Sequence, residues 1–305
     1  MLVTLGELLV EMMAVTRGQP LDRPGSFIGP YPSGAPAIFA DQAARQGYPT
    51  AIAGVVADDG FGDCVVDRLR GDGVDVSAVR RVAAPATGVA FVTYADDGAR
   101  KFIFHLGNAA CGLLTPKDVA RLPEPSCLHL MGSSLGASGM AAIVAAARAK
   151  LGGGLLSFDP NVRAELSGDP ATAALIGALA DAADLLLPSE ADLAYLRPGM
   201  TEDAAARSYL GRARAVLVKR GARGTVLYTG DARIETPAFP VAEIDPTGAG
   251  DCAGATFVAG WLAGATPAEL LPRVNAAGAL AVSRRGPMEG NSTPAEIDAF
   301  LKAHA

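Results

Sequence analysis

The chain has 305 residues, of which 50% are hydrophobic and 19% are charged. That length and composition suit one large α/β domain with a sizeable core, and they exclude a disordered chain. The formal net charge is -6 and no run of Lys or Arg forms a basic stripe, so we expect no nucleic-acid partner.

The cysteines and the apolar stretches indicate in which cellular compartment we expect the protein. None of the four cysteines forms a CxxC pair, so we expect no structural zinc site and favour reduced thiols in the cytoplasm. Glu7 and Glu11 interrupt the apolar N-terminus, and no uncharged apolar stretch approaches ~18–20 residues. We therefore expect no signal peptide and no membrane partner.

Short apolar runs alternate with alanine-rich helical patterns along most of the chain. Such alternation favours a mostly parallel sheet with helices on both faces. The predicted strands are 2–5, 50–56, 127–131, 154–158, 184–187, 215–218, 225–228 and 238–244. The predicted helices are 36–46, 140–151, 171–182, 202–213, 251–263 and 267–282.

Two segments break this alternation. Residues 12–33 are rich in Gly and Pro, and residues 88–105 have the period-two pattern of a hairpin. We expect them to form a small antiparallel β lid on a main domain made of 1–11, 34–87 and 106–305. Exposed lid strands would favour a homodimer or a higher homo-oligomer, because sheet edges invite pairing.

The segment DPTGAGD, residues 245–251, carries the clearest chemical signal. It lies between a predicted strand and a predicted helix, where open α/β sheets bind ligands. Gly248, Ala249 and Gly250 leave the backbone N–H groups free to surround an anion at a helix N-terminus. Asp251 beside them could accept the proton of an attacking hydroxyl. The alternative is that Asp251 only caps the helix, as aspartate commonly does.

DPTGAGD resembles the C-terminal signature of the ribokinase-like carbohydrate kinases, the PfkB family. Further motifs match in family order over nearly the whole chain. They are SGAPA at 33–37, DPNVR at 159–163, KRGARG at 219–224, NAAGA at 275–279 and RGPMEG at 285–290.

The resemblance implies a ribokinase-like fold and ATP-dependent phosphorylation of a hydroxyl of a small sugar. It implies that Asp251 is the general base and that the anion hole is formed by Gly248, Ala249 and Gly250. The implied sugar-binding residues are Gly34, His105, Asn161, Arg163 and Asp251. The implied nucleotide-binding residues are Ser189, Lys219, Gly221, Gly224, Asn275 and Gly286.

The resemblance also implies metal ions. Mg²⁺ would accompany ATP, with Asp192 reaching it through water. In this family a monovalent cation such as K⁺ often lies behind the anion hole, held partly by the residues matching Asp245 and Thr247. Simpler interpretations stay open for Lys219 as a solvated turn lysine and for Asn275 as an ordinary helix-surface residue.

Two positions depart from the family pattern. Ile38 stands where the family usually has an Asn that touches the substrate, so some sugar contacts must differ. Ser189 and Asp192 occupy the ends of a segment where the family often has N-x-x-E. Both can still accept hydrogen bonds or hold metal-bound water.

The opening GELLVEMM and the KRGARG turn look most like the branch of ketodeoxygluconate kinases, fructokinases and tagatose kinases. The first of these tend to carry an aromatic residue and an Arg on the lid, where this chain has Ile103 and His105. Because a guanidinium suits a carboxylate better than a neutral imidazole does, a neutral ketohexose such as fructose or tagatose is favoured. Arg163 keeps 2-keto-3-deoxygluconate as the alternative substrate.

Other classes of protein remain as alternatives. A nucleoside kinase would keep Asp251 and the anion hole, and a non-catalytic sugar-binding protein could share the fold. A dinucleotide-binding oxidoreductase is excluded, because the first βα turn around Gly6 lacks G-x-G-x-x-G.

Overall fold

The computed structural model describes residues 1–95, 100–162, 169–230 and 232–304. In chain order the described strands are β1 Leu2–Leu5, β2 Leu9–Ala14, β3 Phe27–Ser33, β4 Thr50–Ala57, β5 Val79–Val82, β6 Gly88–Tyr94, β7 Arg100–His105, β8 Cys127–Met131, β9 Leu155–Asp159, β10 Leu185–Leu186, β11 Ala215–Lys219, β12 Thr225–Thr229 and β13 Ala232–Thr236. The described helices are α1 Ala35–Arg45, α2 Gly60–Gly71, α3 Pro116–Ala120, α4 Met140–Leu151, α5 Pro170–Ala182, α6 Glu190–Leu196, α7 Glu202–Arg207, α8 Ala249–Leu262, α9 Pro267–Val282 and α10 Pro294–Ala303.

The larger sheet has the strand order β13-β12-β11-β10-β9-β8-β1-β4-β5 within the described chain. Its pairings are parallel from β11 to β5, and β12 and β13 add an antiparallel edge. Parallel strands need long crossovers, which are the helices seen in the alternating sequence pattern. The architecture therefore confirms the mostly parallel α/β sheet expected from the sequence.

Helices cover this sheet on both faces. Along β1, Val3 packs into a cluster with Ile143 of α4, whereas Leu2 packs into a cluster with Phe39 of α1 and Phe257 of α8. Neighbouring strand residues thus enter opposite layers, as the pleat requires. This two-sided burial explains why the strands are continuously apolar.

The smaller sheet, which we call the lid sheet, has the order β3-β2-β6-β7. The outer pairs β2–β3 and β6–β7 are antiparallel, and the central pair β2–β6 is parallel. The predicted hairpin is confirmed by β6 and β7. The lid sheet also includes residues 9–11, which the sequence assigned to the main domain, and the division into two domains stays a prediction.

The strand predicted at 238–244 is wrong. The described backbone there is irregular, with no strand pairing. Pro237 and Pro240 lack the N–H groups that a ladder needs, which accounts for the difference. The predicted helix 202–213 is also too long, because α7 ends at Arg207 and continues as turns.

No helix in the described parts of the chain is long and apolar enough to cross a membrane.

Candidate active site

A cleft of about 1170 Å³ lies over the carboxyl ends of the parallel strands, between the large sheet and the lid sheet. Residues that follow β1, β8, β9, β10 and β11 line it, together with residues of β2, β7 and α8. This is the edge where parallel α/β sheets bind ligands. The motifs spread along the sequence therefore meet in one place.

The start of α8 forms one wall of the cleft. Gly248 precedes the helix with φ = 80°, and a Cβ built on it would lie 2.5 Å from the carbonyl oxygen of Pro287. Only glycine suits both the left-handed backbone and that close approach. Gly248, Ala249 and Gly250 all line the cleft at a helix N-terminus, which favours a bound anion.

Asp251 lies in the first turn of α8, where it lines the cleft and is 8% exposed. The Lys219 ammonium is close by, since a Cβ on Gly250 would lie 3.6 Å from its Nζ. A buried carboxylate beside an anion-binding helix end can take a proton from a hydroxyl held in front of that anion.

Lys219 ends β11 and forms a buried ion pair with Asp159, which ends β9. Burial opposes the ammonium charge, but the charges of Asp159, Asp192 and Asp251 outweigh it and raise the pKa of Lys219. The side chain is 14% exposed, so it is not a solvated turn lysine. It places a fixed positive charge next to the anion-binding end of α8.

Asp245 lies just outside the cleft lining and is 1% exposed. Its Oδ1 accepts hydrogen bonds from the Tyr94 hydroxyl (2.7 Å) and the Thr247 N–H (3.0 Å), and its Oδ2 accepts one from the Gly286 N–H (2.9 Å). Gly286 therefore contacts the loop behind the anion hole rather than the cleft itself. The carboxylate keeps acceptor capacity beyond these three bonds, as a cation site would require.

Ser189 and Asp192 form a capping box at the start of α6. Ser189 donates from its N–H and from its hydroxyl to Oδ2 of Asp192 (2.7 Å each), and Val162 donates its N–H to Oδ1 (2.8 Å). Both residues line the cleft as expected. The arrangement makes helix capping their primary structural role, with Asp192 fixed in position facing the cleft.

Three of the nucleotide-binding residues implied by the resemblance, Gly221, Gly224 and Asn275, lie together at one end of the cleft, whereas Gly286 does not line it. Gly221 and Gly224 line the turn after β11, and a Cβ on Gly224 would lie 2.1 Å from the carbonyl oxygen of Thr236. Asn275 donates from Nδ2 to the carbonyls of Thr236 and Pro237, both at 3.1 Å. Asn275 thus shapes the cleft by holding the segment that leads into residues 238–243.

Two of the sugar-binding candidates, Gly34 and Asn161, line another part of the cleft, which we call the sugar end. Gly34 precedes α1 with φ = 110°, and a Cβ on it would lie 2.3 Å from the carbonyl oxygen of Glu7. Asn161 lines the cleft with φ = 35° and donates its N–H to Asp159. Ile38 also lines this end, next to Gly248. Arg163 lies outside the described residues.

The lid strand β7 faces the cleft with a different set of residues from the expected one. Arg100, Phe102 and Phe104 line the cleft, whereas His105 does not. The His105 ring instead meets the edge of Phe91 at 6.1 Å. The assignment of His105 as a sugar-binding residue is therefore corrected, because alternate strand residues point to opposite faces and the cleft face carries the even-numbered ones.

Sequence reasoning missed several polar groups at the sugar end. Glu7 and Glu11 line the cleft; Glu7 accepts a hydrogen bond from Ser134 (2.5 Å) and Glu11 accepts one from Ser33 (2.7 Å). The available signal was two glutamates within an otherwise apolar run at the start of the chain. Charged residues in such an apolar run either lie at the end of a strand or line a ligand-binding site.

Among the described residues, no group of three or more His, Cys, Asp or Glu side chains is arranged to hold a metal ion. Asp245 and Asp192, the two carboxylates among the candidate metal contacts, belong to separate hydrogen-bond networks. Each would contribute to a cation only together with backbone, water or phosphate oxygens.

Comparison with known proteins agrees with this geometry. Residues 1–294 match the model of the pfkB family carbohydrate kinases. Fructokinase-1 of Oryza sativa subsp. japonica is 33% identical over 82% of this chain and 80% of its own length. The 2-dehydro-3-deoxygluconokinase of Thermoproteus tenax is 33% identical over 99% of this chain and 94% of its own.

Solved structures give the same result. An E. coli protein provisionally named ribokinase II, solved with ATP and Mg²⁺, is 43% identical with a TM-score of 0.94 over 99% of both chains. A double mutant of Vibrio cholerae O395 fructokinase, solved with fructose, ADP and a potassium ion, is 27% identical with a TM-score of 0.83 over 98% of both chains.

The fold and the site together define a kinase that uses ATP to phosphorylate a carbohydrate. The chain belongs to the PfkB family of carbohydrate kinases.

Proposed function

We propose that this kinase phosphorylates a hydroxyl of a neutral ketohexose of the fructose or tagatose type, with Asp251 as the general base. The observation that carries the proposal is the position of Asp251, buried in the first turn of α8 and open to a cleft with a polar sugar end. The fructokinase relatives support the choice of sugar.

In the proposed mechanism the acceptor hydroxyl lies between Asp251 and the γ-phosphate of ATP. Asp251 takes the proton as the oxygen attacks in line. The N–H groups of Gly248, Ala249 and Gly250 and the α8 dipole stabilise the charge on the transferring oxygens. Lys219, fixed by its pairing with Asp159, adds positive charge at the same point.

The charges lining the cleft favour a neutral acceptor. The cationic lining residues within the described chain are Arg100, Lys219 and Arg220. Arg100 contacts Thr247, Lys219 pairs with Asp159, and Arg220 pairs with Glu202 and Glu235 on the nucleotide side. The sugar end instead offers carboxylate and hydroxyl oxygens, which suit the hydroxyl donors of a sugar.

A second candidate acceptor is 2-keto-3-deoxygluconate. The Thermoproteus tenax relative favours it. In this alternative Arg163, which the resemblance to the family implies as a sugar-binding residue, supplies the cation for the acceptor carboxylate.

The residues present suit the metal ions of the family. Asp192 is fixed facing the cleft and can hold Mg²⁺ through water, while Asp245 and Thr247 can contribute to a K⁺ site behind the anion hole. Mg²⁺ bound with ATP would neutralise part of the charge of its phosphate groups.

We also propose a homodimer formed through the lid sheet. Its edge strand β7 is largely exposed, including Ile103 at 42% and Phe104 at 39%. An exposed apolar edge favours pairing with a second copy. Light scattering of the intact chain and of Ile103→Lys tests this, and a monomeric wild type would refute it.

The experiment that tests the function measures ADP release from Mg-ATP with fructose, tagatose, ribose, 2-keto-3-deoxygluconate and adenosine. We expect the highest kcat/KM with a neutral ketohexose, and a loss of kcat of at least about a thousandfold in Asp251→Asn with ATP binding kept. Turnover of the keto acid alone would replace the proposed acceptor. Near wild-type turnover in Asp251→Asn would remove the proposed base.

A further inference from the structure

Two residues at the far end of the lid sheet contact the segment that precedes the anion hole. Tyr94 ends β6 and Arg100 begins β7, and the two are directly paired across the strands. The Tyr94 hydroxyl donates to Oδ1 of Asp245 (2.7 Å), and Nη1 of Arg100 donates to the Thr247 hydroxyl (3.2 Å). The lid sheet thus contacts the segment that leads directly into Gly248.

The Tyr94 contact joins a carboxylate that already organises this segment. Asp245 also accepts the N–H groups of Thr247 and Gly286, so it ties the two loops behind the anion hole together. A hydrogen bond to a buried carboxylate is among the stronger kinds.

The Arg100 contact lies one residue from the anion hole. Thr247 is 7% exposed and lines the cleft together with Arg100. Arg100 is the first residue of β7, so its position depends on where the lid sheet lies. A shift of the lid sheet away from the cleft would break both contacts at once.

We propose that Tyr94 and Arg100 are positioning residues that align the amides of residues 248–250 only when the lid sheet is closed over the cleft. The proposal rests on the phosphoryl transfer at this loop described above. Closure of the lid sheet would then exclude water from the cleft and align the anion hole in the same movement. When the cleft is open, ATP would bind next to an anion-hole loop that lacks its contacts with Tyr94 and Arg100.

The test uses one variant for each contact, together with a control variant that makes the same substitution elsewhere. Tyr94→Phe removes one hydroxyl, and Tyr195→Phe does the same at a residue of α6 outside the cleft lining. Arg100→Ala removes one guanidinium, and Lys101→Ala removes the neighbouring cation, which lies outside the cleft lining on the same strand. Melting temperatures show whether each variant folds.

The first measurement is hydrogen–deuterium exchange of residues 247–250 with Mg-ATP present, which needs no acceptor sugar. We expect the amides of this loop to exchange at least about tenfold faster in Tyr94→Phe and Arg100→Ala, which remove its contacts with the lid sheet, and at the wild-type rate in both controls. Wild-type exchange in both test variants would overturn the proposal.

The second measurement is the ATP consumed per molecule of fructose phosphorylated. We expect kcat to fall about tenfold in each test variant and this ratio to rise above one, because water enters a cleft that closes less often. The factor by which kcat falls in the double variant should be smaller than the product of the two single-variant factors, because both residues support one loop. If fructose phosphorylation and ATP hydrolysis fell by the same factor, the ratio would stay unchanged, and the two contacts would have only a structural role.

Different results would contradict the proposed acceptor sugar and the proposed positioning role. If the wild type transfers phosphate to none of the sugars, the proposed acceptor is wrong, and the exchange measurement still decides the role of Tyr94 and Arg100. If fructose is phosphorylated and neither variant changes the ratio, the positioning role alone is wrong.

Discussion

Lys219 and Asp159 form a buried ion pair between the ends of β11 and β9, the two strands that flank β10, close to the start of α8. Removing only the ammonium would leave Asp159, which is 1% exposed, without its partner. We expect Lys219→Met to lower the free energy of unfolding by about 3 kcal/mol and kcat by at least about a hundredfold. Chemical denaturation and steady-state kinetics measure the two effects.

A second substitution separates stability from catalysis at this pair. In Lys219→Met with Asp159→Asn the buried negative charge is gone, so much of the lost stability should return. Activity should stay low, because the positive charge beside the transferring phosphate is still missing. Recovery of activity together with stability would show that Lys219 acts only through the fold.

Gly248 and Gly250 provide a matched test of the anion hole. A Cβ on Gly248 would meet the Pro287 carbonyl at 2.5 Å, whereas one on Gly250 would lie 3.6 Å from Nζ of Lys219. We expect Gly248→Ala to reduce kcat by at least about a hundredfold and to lower the melting temperature. Gly250→Ala keeps the N–H group and an ordinary contact distance, so its kcat should stay within about threefold of wild type. Similar losses in both variants would contradict the steric argument.

Phe104 and His105 are neighbours on β7 with opposite predicted effects. Phe104 lines the cleft, and His105 does not. We expect Phe104→Ala to raise KM for the acceptor sugar about fivefold or more through lost contact area, and His105→Ala to leave kcat/KM unchanged. The reverse pattern would restore the imidazole as a substrate contact.

The buried Asp41 predicts an unusual dependence of stability on pH. Its Oδ2 accepts a hydrogen bond from Asn291 (2.6 Å) and its Oδ1 lies 3.4 Å from Arg68, but burial outweighs both and raises its pKa to about 7. The unfolded chain releases this proton near pH ~4. The stabilising contribution is therefore fully present below pH ~4 and is lost as the pH rises through about 7.

Urea denaturation of the wild type and of Asp41→Asn at pH 5 and pH 8 measures this contribution. The difference between the two unfolding free energies should change by on the order of 2 kcal/mol, with the wild type losing stability at the higher pH. Asp67→Asn, at an exposed carboxylate, should show no such change. A constant difference for Asp41→Asn would mean that this carboxylate is ionised throughout.

The sequence predicted the large sheet well because its strands are buried on both faces. Runs such as 2–5 and 127–131 can only be central strands, and the structure confirms their bounds. The face of a lid strand is harder to predict, because a shift of one residue reverses it and partly exposed β7 has apolar residues on both sides. That is why His105 was assigned to the cleft and Phe104 was not.

Contacts between distant segments were beyond sequence reasoning. Tyr94 and Asp245 are 151 residues apart, and nothing in either local pattern indicates that they meet. Asp159 was read only as part of a motif, and its pairing with Lys219 follows from the parallel order of β9, β10 and β11. The roles assigned to the individual site residues stay predictions until the variants are measured.

The connections of the lid sheet constrain how it can move. Four separate backbone links join it to the large sheet, at residues 6–8, 34, 83–87 and 106–115. Because four connections hold the lid sheet, we expect it to rotate as one rigid body about a single hinge axis. A loop that is fixed only at its two ends has more freedom to move. The strand pairings of the lid sheet should therefore persist through every catalytic cycle, and the bending should fall on the four connections, where glycines such as Gly6 and Gly34 already adopt unusual backbone angles.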